Sequence, residues 1–356
     1  MKNAALLVGF ALFVGLEAGT PPVPNPSQAP IRDIDQSEVQ QTVEALRTAL
    51  NREYFDPVVA AKVSETLQRR LAGGRYQGAP TIESLAKTLT EDLFEITRDK
   101  HLVVSSVPKS TSDPATPTAA DDTSREVAAR RLNFGIQRIE ILPGNVGYLN
   151  LTAFYRPGEV REAMASAMAN LRNTDALILD LRNNGGGSSG TIALFASYFF
   201  ETQGLPLFEV VPRPPATPVR FSTESGVLAD RNQQRPTYVL TSQNTWSAGE
   251  GFALILQEHH RAEVIGQTTG GAGNQARPHL LNAKFEVTIP NGKVRTVLRG
   301  QSWEGTGVVP DIPATSTDAL RIAQVRALQG LIRKVPSGAW HDSLEKQLAL
   351  LGDPKS

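Results

Sequence analysis

Apolar residues recur at helical spacing in three consecutive stretches near the start of the chain. The stripes run over Val39–Leu50, Val59–Leu71 and Ile82–Ile96, with apolar positions three or four residues apart. Ser37 with Gln40 fits a capping box, and Asp56-Pro57 fits an N-cap followed by a first helical residue. The pattern predicts a small helical domain over residues 35–103.

Beyond this domain the pattern changes to strands alternating with helices. Residues 104–130 are rich in Ser, Thr, Pro and Asp, which predicts a flexible loop. Over 131–334, apolar runs such as Ala176–Asp180 lack alternation, as expected of strands buried in a parallel sheet. A turn at Asn291-Gly292 between two apolar runs predicts a β-hairpin. The chain is therefore expected to hold an α/β domain, with a C-terminal tail at 335–356.

The first residues have the pattern of an export signal. Lys2 precedes the uncharged apolar run Ala4–Leu16, and residues 1–18 predict a signal peptide on a periplasmic or secreted protein. The run is shorter than the roughly 20 apolar residues of a membrane-spanning helix, so no integral span is expected in the mature chain. An uncleaved anchor is the alternative. Residues 19–34 are rich in proline and predict a linker.

Charge and cysteine content narrow the classes of function. Lys plus Arg and Asp plus Glu each number 36 in 356 residues, so the net charge is zero and nothing favours nucleic acid as a partner. The absence of cysteine excludes disulfides, cysteine-ligated metals and a thiol nucleophile. These counts do not determine the oligomeric state.

A glycine-rich segment, Asp180–Gly190, follows the predicted buried strand and precedes a helix. It contains G-x-G-x-x-G starting at Gly185, with Glu209 at the distance of a ribose-binding acid, which is compatible with a dinucleotide site. Three polar residues separate the strand from the first glycine, whereas that motif needs a glycine close to the strand. A second use is to present a backbone N–H to a developing oxyanion.

A serine stands at another junction of strand and helix. Ser247 lies at the predicted start of a helix, where serine is ordinarily an N-cap. It could also be a nucleophile, because the next amide and the helix N-terminus would stabilise an oxyanion. Thr245 occupies the first glycine position of the G-x-S-x-G elbow, so that motif is incomplete.

A serine nucleophile needs a base, and the chain has five histidines. His259 and His260 share the serine's helix. At about 1.5 Å per residue, His259 lies roughly 18 Å from Ser247, so neither histidine can reach the serine hydroxyl. His341 is in the predicted tail, which leaves His279 and His101 as candidates. Glu304 is either a solvated loop acid or a group that orients a histidine.

Together these segments resemble the carboxy-terminal processing (tail-specific) serine peptidase family. The closer match is its subgroup containing the tricorn core and interphotoreceptor retinoid-binding protein, over about residues 37–313. The motifs that carry the resemblance are YFDP, DKH, NFGIQRIEILPGNVGYLNL, ALILDLRNNGGG, TWSAGEGFA, VIGQTTGGAGN and WEGTGVVPDI.

The resemblance implies a Clp protease–crotonase type α/β domain behind a helical domain, acting on peptide or protein substrates without cofactor or metal. It implies that Ser247 is the nucleophile, His101 the general base and Glu304 the group that orients the base. It also implies an oxyanion hole formed by the N–H groups of Gly186 and Ala248.

The chain departs from many relatives in two ways. Leu102–Leu132 is too short for the PDZ domain that they carry, and no lysine is placed for a Ser–Lys dyad. The loss of the lysine and the presence of His101 and Glu304 agree with the tricorn-like arrangement. One branch of the family binds retinoids and fatty acids, so a non-catalytic protein that binds apolar ligands is the alternative. A nucleotide-dependent oxidoreductase is the third hypothesis.

Overall fold

The computed structural model of the chain describes residues 34–78, 81–107, 126–227 and 234–352. The predicted signal peptide, residues 19–33 of the linker and most of the predicted loop lie outside these ranges. Within them no helix is long and apolar enough to span a bilayer.

The predicted alternation of strands and helices is present. The helices are α1 Gln36–Glu53, α2 Pro57–Ala72, α3 Ile82–Thr97, α4 Pro157–Leu171, α5 Ser189–Ala196, α6 Ala248–Glu258, α7 Ala319–Ile332 and α8 Ala339–Leu351. The strands are β1 Val103–Ser106, β2 Ile136–Leu142, β3 Val146–Leu151, β4 Ala176–Asp180, β5 Pro206–Pro212, β6 Val219–Ser222, β7 Thr237–Thr241, β8 Glu263–Gly266, β9 Gln275–Leu280, β10 Phe285–Thr296 and β11 Ile312–Pro313.

Six strands form a mixed sheet in the order β11-β8-β7-β4-β3-β2, parallel except for the antiparallel edge strand β2. Successive residues of a strand face opposite sides. Leu177 and Leu179 therefore join the core beneath α4, α5 and α6, while Ile178 joins the core beneath α7 and α8. Helices cover both faces, which confirms the predicted α/β class.

The helical N-terminal region packs on a second, antiparallel sheet, which contains β1, β10, β5, β6 and β9. Helices α1 to α3 bury their apolar stripes against Phe285, Val287 and Ile289 of β10. Strand β1 pairs with β10, from Val103 opposite Thr288 to Ser106 opposite Phe285. The turn between α3 and β1 is thereby held beside the α/β domain.

Three expectations from the sequence need correction. The predicted hairpin is one continuous strand, β10. Asn291 and Gly292 form an irregularity inside it, and β5 pairs with the second half of the strand, from Gly292 to Thr296. The predicted tail contains α8, whose Leu344 is fully buried in the core of α7. The loop predicted over 104–130 includes most of β1, and residues 126–131 are helical.

The first helix begins two residues earlier than its pattern suggested. Asp35, not Ser37, is the N-cap, and its carboxylate accepts the Glu38 N–H at 2.8 Å. Glu38 accepts the Asp35 N–H at 3.2 Å in return. This is the reciprocal geometry of a capping box, so the motif type was right and the register was wrong.

Candidate active site

Ser247 lies where the carboxyl end of β7 turns into α6. Its backbone has φ 50° and ψ −114°, a conformation that L-residues with a side chain rarely adopt. The turn is held on both sides: the Ser247 N–H donates to Glu250 Oε2 at 2.7 Å, and the Trp246 N–H donates to the Asn184 carbonyl at 2.8 Å. A strained strand-to-helix turn of this kind exposes the serine at the edge of the sheet, as in a nucleophile elbow.

The glycine-rich loop after β4 lies directly against this turn, because β4 and β7 are neighbouring parallel strands. A Cβ on Gly186, which has φ +92°, would lie 2.7 Å from the Ser247 Cβ. A Cβ on Gly187, which has φ +136°, would lie 2.1 Å from the Phe154 carbonyl oxygen. Both positions therefore require glycine.

One predicted oxyanion donor is engaged elsewhere in this structure. Gly186 is buried, and its N–H donates to Asn184 Oδ1 at 2.9 Å instead of pointing freely at a substrate. Gly187 is exposed and its N–H donates no hydrogen bond within the described ranges. The Ala248 N–H, at the start of α6, also has no partner among the described residues. The free donors beside Ser247 are thus Gly187 and Ala248.

A cavity of about 300 Å³ opens at Ser247. His101 lines it, and it is the one histidine of the five to do so. Apolar side chains form much of the remaining wall: Ile192, Phe208, Val294 and Trp303. Residues 101 and 247, far apart in the chain, therefore meet in one cavity across the contact between the helical region and the α/β domain.

Glu304 and Asp99 flank His101. Each of the three side chains has a nitrogen or carboxylate oxygen within 4.8 Å of the others, and His101 Nδ1 lies 4.0 Å from Asp99 Oδ1. Among the described residues, His101 Nδ1 and Glu304 Oε1 are buried without a hydrogen-bond partner. Buried polar atoms are normally paired, so a small rearrangement that joins these two atoms would satisfy both.

Burial sets the charge of this group. Burial lowers the pKa of the His101 imidazole and outweighs the negative charge of Asp99, which acts to raise that pKa. The imidazole is therefore a neutral acceptor at physiological pH. Burial, reinforced by the negative charge of Asp99, raises the pKa of Glu304 to about 7. Glu304 is kept partly ionised by the N–H groups of Gly273 and Asn274, which donate to its Oε2 at 2.6 and 2.9 Å.

Sequence reasoning missed the residues that hold these groups in place. Glu250, fully buried, accepts from four donors: Ser247 N–H, Thr269 Oγ1–H, Gly271 N–H and Ala272 N–H. Asp99 accepts the His101 N–H at 2.9 Å and an N–H of the Asn274 side chain at 2.8 Å. A signal existed for both, since Glu250 is three residues after Ser247, the N-cap position, and Asp99 is two residues before the histidine.

Asp180 and Arg182 support the start of the glycine loop. Asp180 accepts from the Tyr148 hydroxyl at 2.6 Å and from Arg182 Nε at 2.9 Å, while Arg182 reaches the Ser316 carbonyl. These contacts clamp the carboxyl end of β4, where the loop begins.

In the part of the chain that the structure describes, two groups of side chains have the donors and spacing to ligate a cation. One is Asp99, His101 and Glu304, and the other is His341, Asp342 and Glu345 on α8. The first coincides with the candidate base and its carboxylates, and an ion there would occupy the Nδ1 atom that Glu304 is expected to orient.

Two family models match consecutive parts of the chain. The model described as peptidase family S41 matches residues 145–314, and the N-terminal domain of peptidase S41 in eukaryotic IRBP matches residues 35–134. The chain belongs to peptidase family S41. The matches divide where the helical region gives way to the α/β domain.

Curated relatives of this S41 chain include carboxyl-terminal processing peptidases. It is 30% identical over 185 residues to carboxyl-terminal-processing peptidase 2 of Arabidopsis thaliana, covering 48% of this chain and 33% of the relative. It is 31% identical over 177 residues to the carboxyl-terminal-processing protease of Synechocystis sp., covering 48% and 38%. The chain thus spans 33% and 38% of the length of these relatives.

Solved structures share the fold of the S41 chain over most of its length. Mature CPAF superposes with a TM-score of 0.55 at 13% identity, covering 85% of this chain and 99% of CPAF. A lipoprotein from Streptococcus agalactiae gives 0.53 at 13%, covering 82% and 96%. At this identity the likeness concerns the fold.

Proposed function

We propose that this S41 chain is a serine-type peptidase that hydrolyses peptide bonds through an acyl-enzyme on Ser247. The observation that carries the proposal is the shared cavity: a strained serine and a half-buried, neutral histidine line it together, and a carboxylate lies beside the histidine. The family and the names of the curated relatives point to the same reaction class.

In the proposed reaction His101 takes the proton of the Ser247 hydroxyl as its oxygen attacks the substrate carbonyl. The N–H groups of Gly187 and Ala248 stabilise the resulting oxyanion, and the positive end of α6 adds to this. His101 then returns the proton to the leaving amine, and water hydrolyses the acyl-enzyme by the same steps. Glu304, ionised, stabilises the imidazolium that forms in each half-reaction.

The Gly186 N–H could donate to the oxyanion only after breaking its hydrogen bond to Asn184 Oδ1. We assign the oxyanion to Gly187 and Ala248 because their N–H groups have no competing acceptor among the described residues. The substrates we propose are peptides or proteins, and the pattern over residues 1–18 supports a periplasmic or secreted location.

The test compares the wild-type protein with Ser247→Ala on a library of quenched fluorescent peptides, in buffer with and without a chelator. We expect the variant to lose on the order of 10⁴–10⁶-fold in kcat/KM, and the chelator to have no effect. Ser166→Ala, on the exposed face of α4, is the matched control and should keep full activity. A fluorophosphonate probe should label Ser247 alone.

Equal hydrolysis by the wild-type protein and Ser247→Ala, or a labelled serine other than Ser247, would contradict the proposal. The alternative, a protein that binds apolar ligands without catalysis, predicts saturable binding of a fluorescent fatty acid and no hydrolysis. The described cavity at Ser247, at about 300 Å³, is at the lower end of the range for small-molecule pockets.

A further inference from the structure

A second groove, of about 800 Å³, continues from the Ser247 cavity. The two share Gly187, Ser189, Gln275 and Ala276 in their walls. From these residues the groove extends between the start of α4, the helical residues 126–131 and strand β9. A peptide bound at Ser247 can therefore run on into the groove without leaving the surface.

One wall of the groove is a strand with an unpaired edge. Among the described strands β9 pairs with β10 alone, and its first two residues, Gln275 and Ala276, line both the cavity and the groove. An unpaired strand edge can pair with an extended peptide through main-chain hydrogen bonds. This edge gives a substrate a direction, from Ser247 along the groove.

Two arginines stand along that direction, Arg156 before α4 and Arg277 on β9. Both are exposed, and neither forms an ion pair with a described carboxylate. With the Asn291 amide oriented to suit its neighbours, its oxygen accepts from Arg277 Nε at 3.2 Å. The terminal nitrogens of Arg277 have no hydrogen-bond partner within the described ranges. Among the described residues of the lining Glu159 is the one acid, and its Oε2 accepts from the Arg156 backbone N–H at 3.0 Å.

We propose that this groove binds a carboxylate of the peptide substrate through Arg156 and Arg277. A guanidinium matches a carboxylate with two parallel hydrogen bonds, and here two guanidiniums face a groove that continues from the nucleophile. The proposal rests on the proposed peptidase function. The carboxylate can come from a free C-terminus or from an Asp or Glu side chain of the substrate.

The experiment uses one quenched peptide sequence in three forms: with a free C-terminal carboxylate, with a C-terminal amide, and as the amide with an internal Asp. For the wild-type protein we expect kcat/KM on the order of 10-fold higher for a carboxylate form than for the plain amide, mainly through KM. In the double variant Arg156→Gln, Arg277→Gln this ratio should fall to about one. The form that keeps the advantage identifies the source of the carboxylate.

Arg172→Gln is the control for position, because it removes one arginine charge at the far end of α4, about 24 Å from Arg156 at 1.5 Å per residue. It should keep the wild-type ratio. Equal rates on all three peptides for the wild-type protein, or an equal loss of preference in Arg172→Gln, would overturn the groove assignment.

The two proposals fail separately. Hydrolysis of the amide peptide by the wild-type protein but not by Ser247→Ala tests the peptidase function without the arginines. If no peptide is hydrolysed, fluorescence anisotropy of the labelled peptides on the Ser247→Ala protein still tests the groove. Tighter binding of the carboxylate forms, lost in the double arginine variant, then supports it, and equal binding of all forms overturns it.

Discussion

At the scale of single residues, Ser247 is held in a backbone conformation that its own side chain disfavours. Such strain persists where the surroundings over-determine it, and here two backbone hydrogen bonds and the glycine at position 186 do so. A serine that served only as an N-cap would need none of this, because N-caps adopt ordinary extended backbone. The conformation therefore favours the nucleophile over the N-cap.

The pKa values of His101 and Glu304 predict how activity depends on pH. His101 accepts a proton when neutral, and burial keeps its pKa low, whereas Glu304 stabilises the imidazolium only when ionised and has a pKa of about 7. We expect kcat/KM to rise with pH through about 7. In Glu304→Gln this rise should disappear, and the rate should fall roughly 10²–10⁴-fold. A wild-type profile that is flat from pH 6 to 8 would contradict the role of Glu304.

Glu304 should also change the stability of the protein with pH. Its folded-state pKa lies above the ordinary value of a glutamate, so the fold favours the protonated form. That stabilising contribution is complete below the unfolded pKa and is lost as pH rises through about 7. Glu304→Gln, which stays neutral, should therefore gain in Tm relative to the wild-type protein between pH 5 and 8. A Tm difference that stays constant, or shrinks, across this range would show that the carboxyl is not perturbed by burial.

At the scale of elements, the loop between β8 and β9 connects the parts of the site through one buried carboxylate. Glu250, in the first turn of α6, accepts from the backbone of Ser247 and from Gly271 and Ala272 in this loop. The next two residues of the loop donate to Glu304. The position of the nucleophile and that of the Glu304 carboxylate are thus set by the same few hydrogen bonds.

Glu250→Gln tests this connection. The four described hydrogen-bond partners of the Glu250 carboxylate are all donors, so an amide nitrogen in its place would face donors instead of an acceptor. The variant should lose roughly 1.5–3 kcal/mol in free energy of unfolding, and it should lose activity as Ser247 shifts. Denaturant unfolding and kcat/KM measure the two effects.

Glu258→Gln is the matched control, because Glu258 is also buried in α6 and burial raises its pKa, but it accepts from a single described partner, Thr296, at 3.0 Å. It lies about 16 Å from Ser247 along the helix. We expect it to keep activity and stability. Equal losses in the two variants would mean that any buried carboxylate of α6 matters equally.

Elements with strong local patterns could be predicted from the sequence, and elements decided by distant partners could not. The buried run Ala176–Asp180 and the stripes of α1 to α3 follow from period alone. Asn291-Gly292 is a turn signal, yet β5 pairs with the segment after it and keeps β10 continuous. The apolar stripe of α8 is short, and only its packing on α7 identifies it as part of the fold.

The features of the candidate site also fall into those that the sequence predicts and those that depend on distant partners. Ser247 and the glycine loop lie at strand ends, where a sequence pattern can place them. The proximity of His101 and Glu304 depends on the docking of the helical region, so here the resemblance to a family supplied what spacing could not. The engagement of the Gly186 N–H with Asn184 is a detail of one side-chain hydrogen bond and leaves no trace in the sequence.

At the scale of the whole molecule, the site exists only while the helical region stays docked. Strand β1 pairs with β10, Arg213 reaches the Tyr54 carbonyl at 2.7 Å, and Lys100 reaches the Gly270 carbonyl beside Trp246. The hydrogen bond from Asn274 to Asp99, at 2.8 Å, adds a buried tie at the histidine itself. Asp99 also accepts the His101 N–H, so one carboxylate fixes both the docking and the base.

A double-mutant cycle on Asp99→Ala and Asn274→Ala measures this tie. A buried hydrogen bond to a charged group contributes roughly 1.5–3 kcal/mol, so we expect a coupling free energy of that size in denaturant unfolding. Asp99→Ala should lower kcat more than it raises KM, because it loosens the backbone of His101 and leaves the residues that line the substrate cavity in place.

The control cycle pairs Asp99→Ala with Glu263→Ala, whose partner Arg326 belongs to α7 on the opposite face of the sheet. That pair should be additive within about 0.5 kcal/mol. Additivity in the Asp99–Asn274 cycle as well would mean that β1 and the apolar core position His101 without help from Asp99.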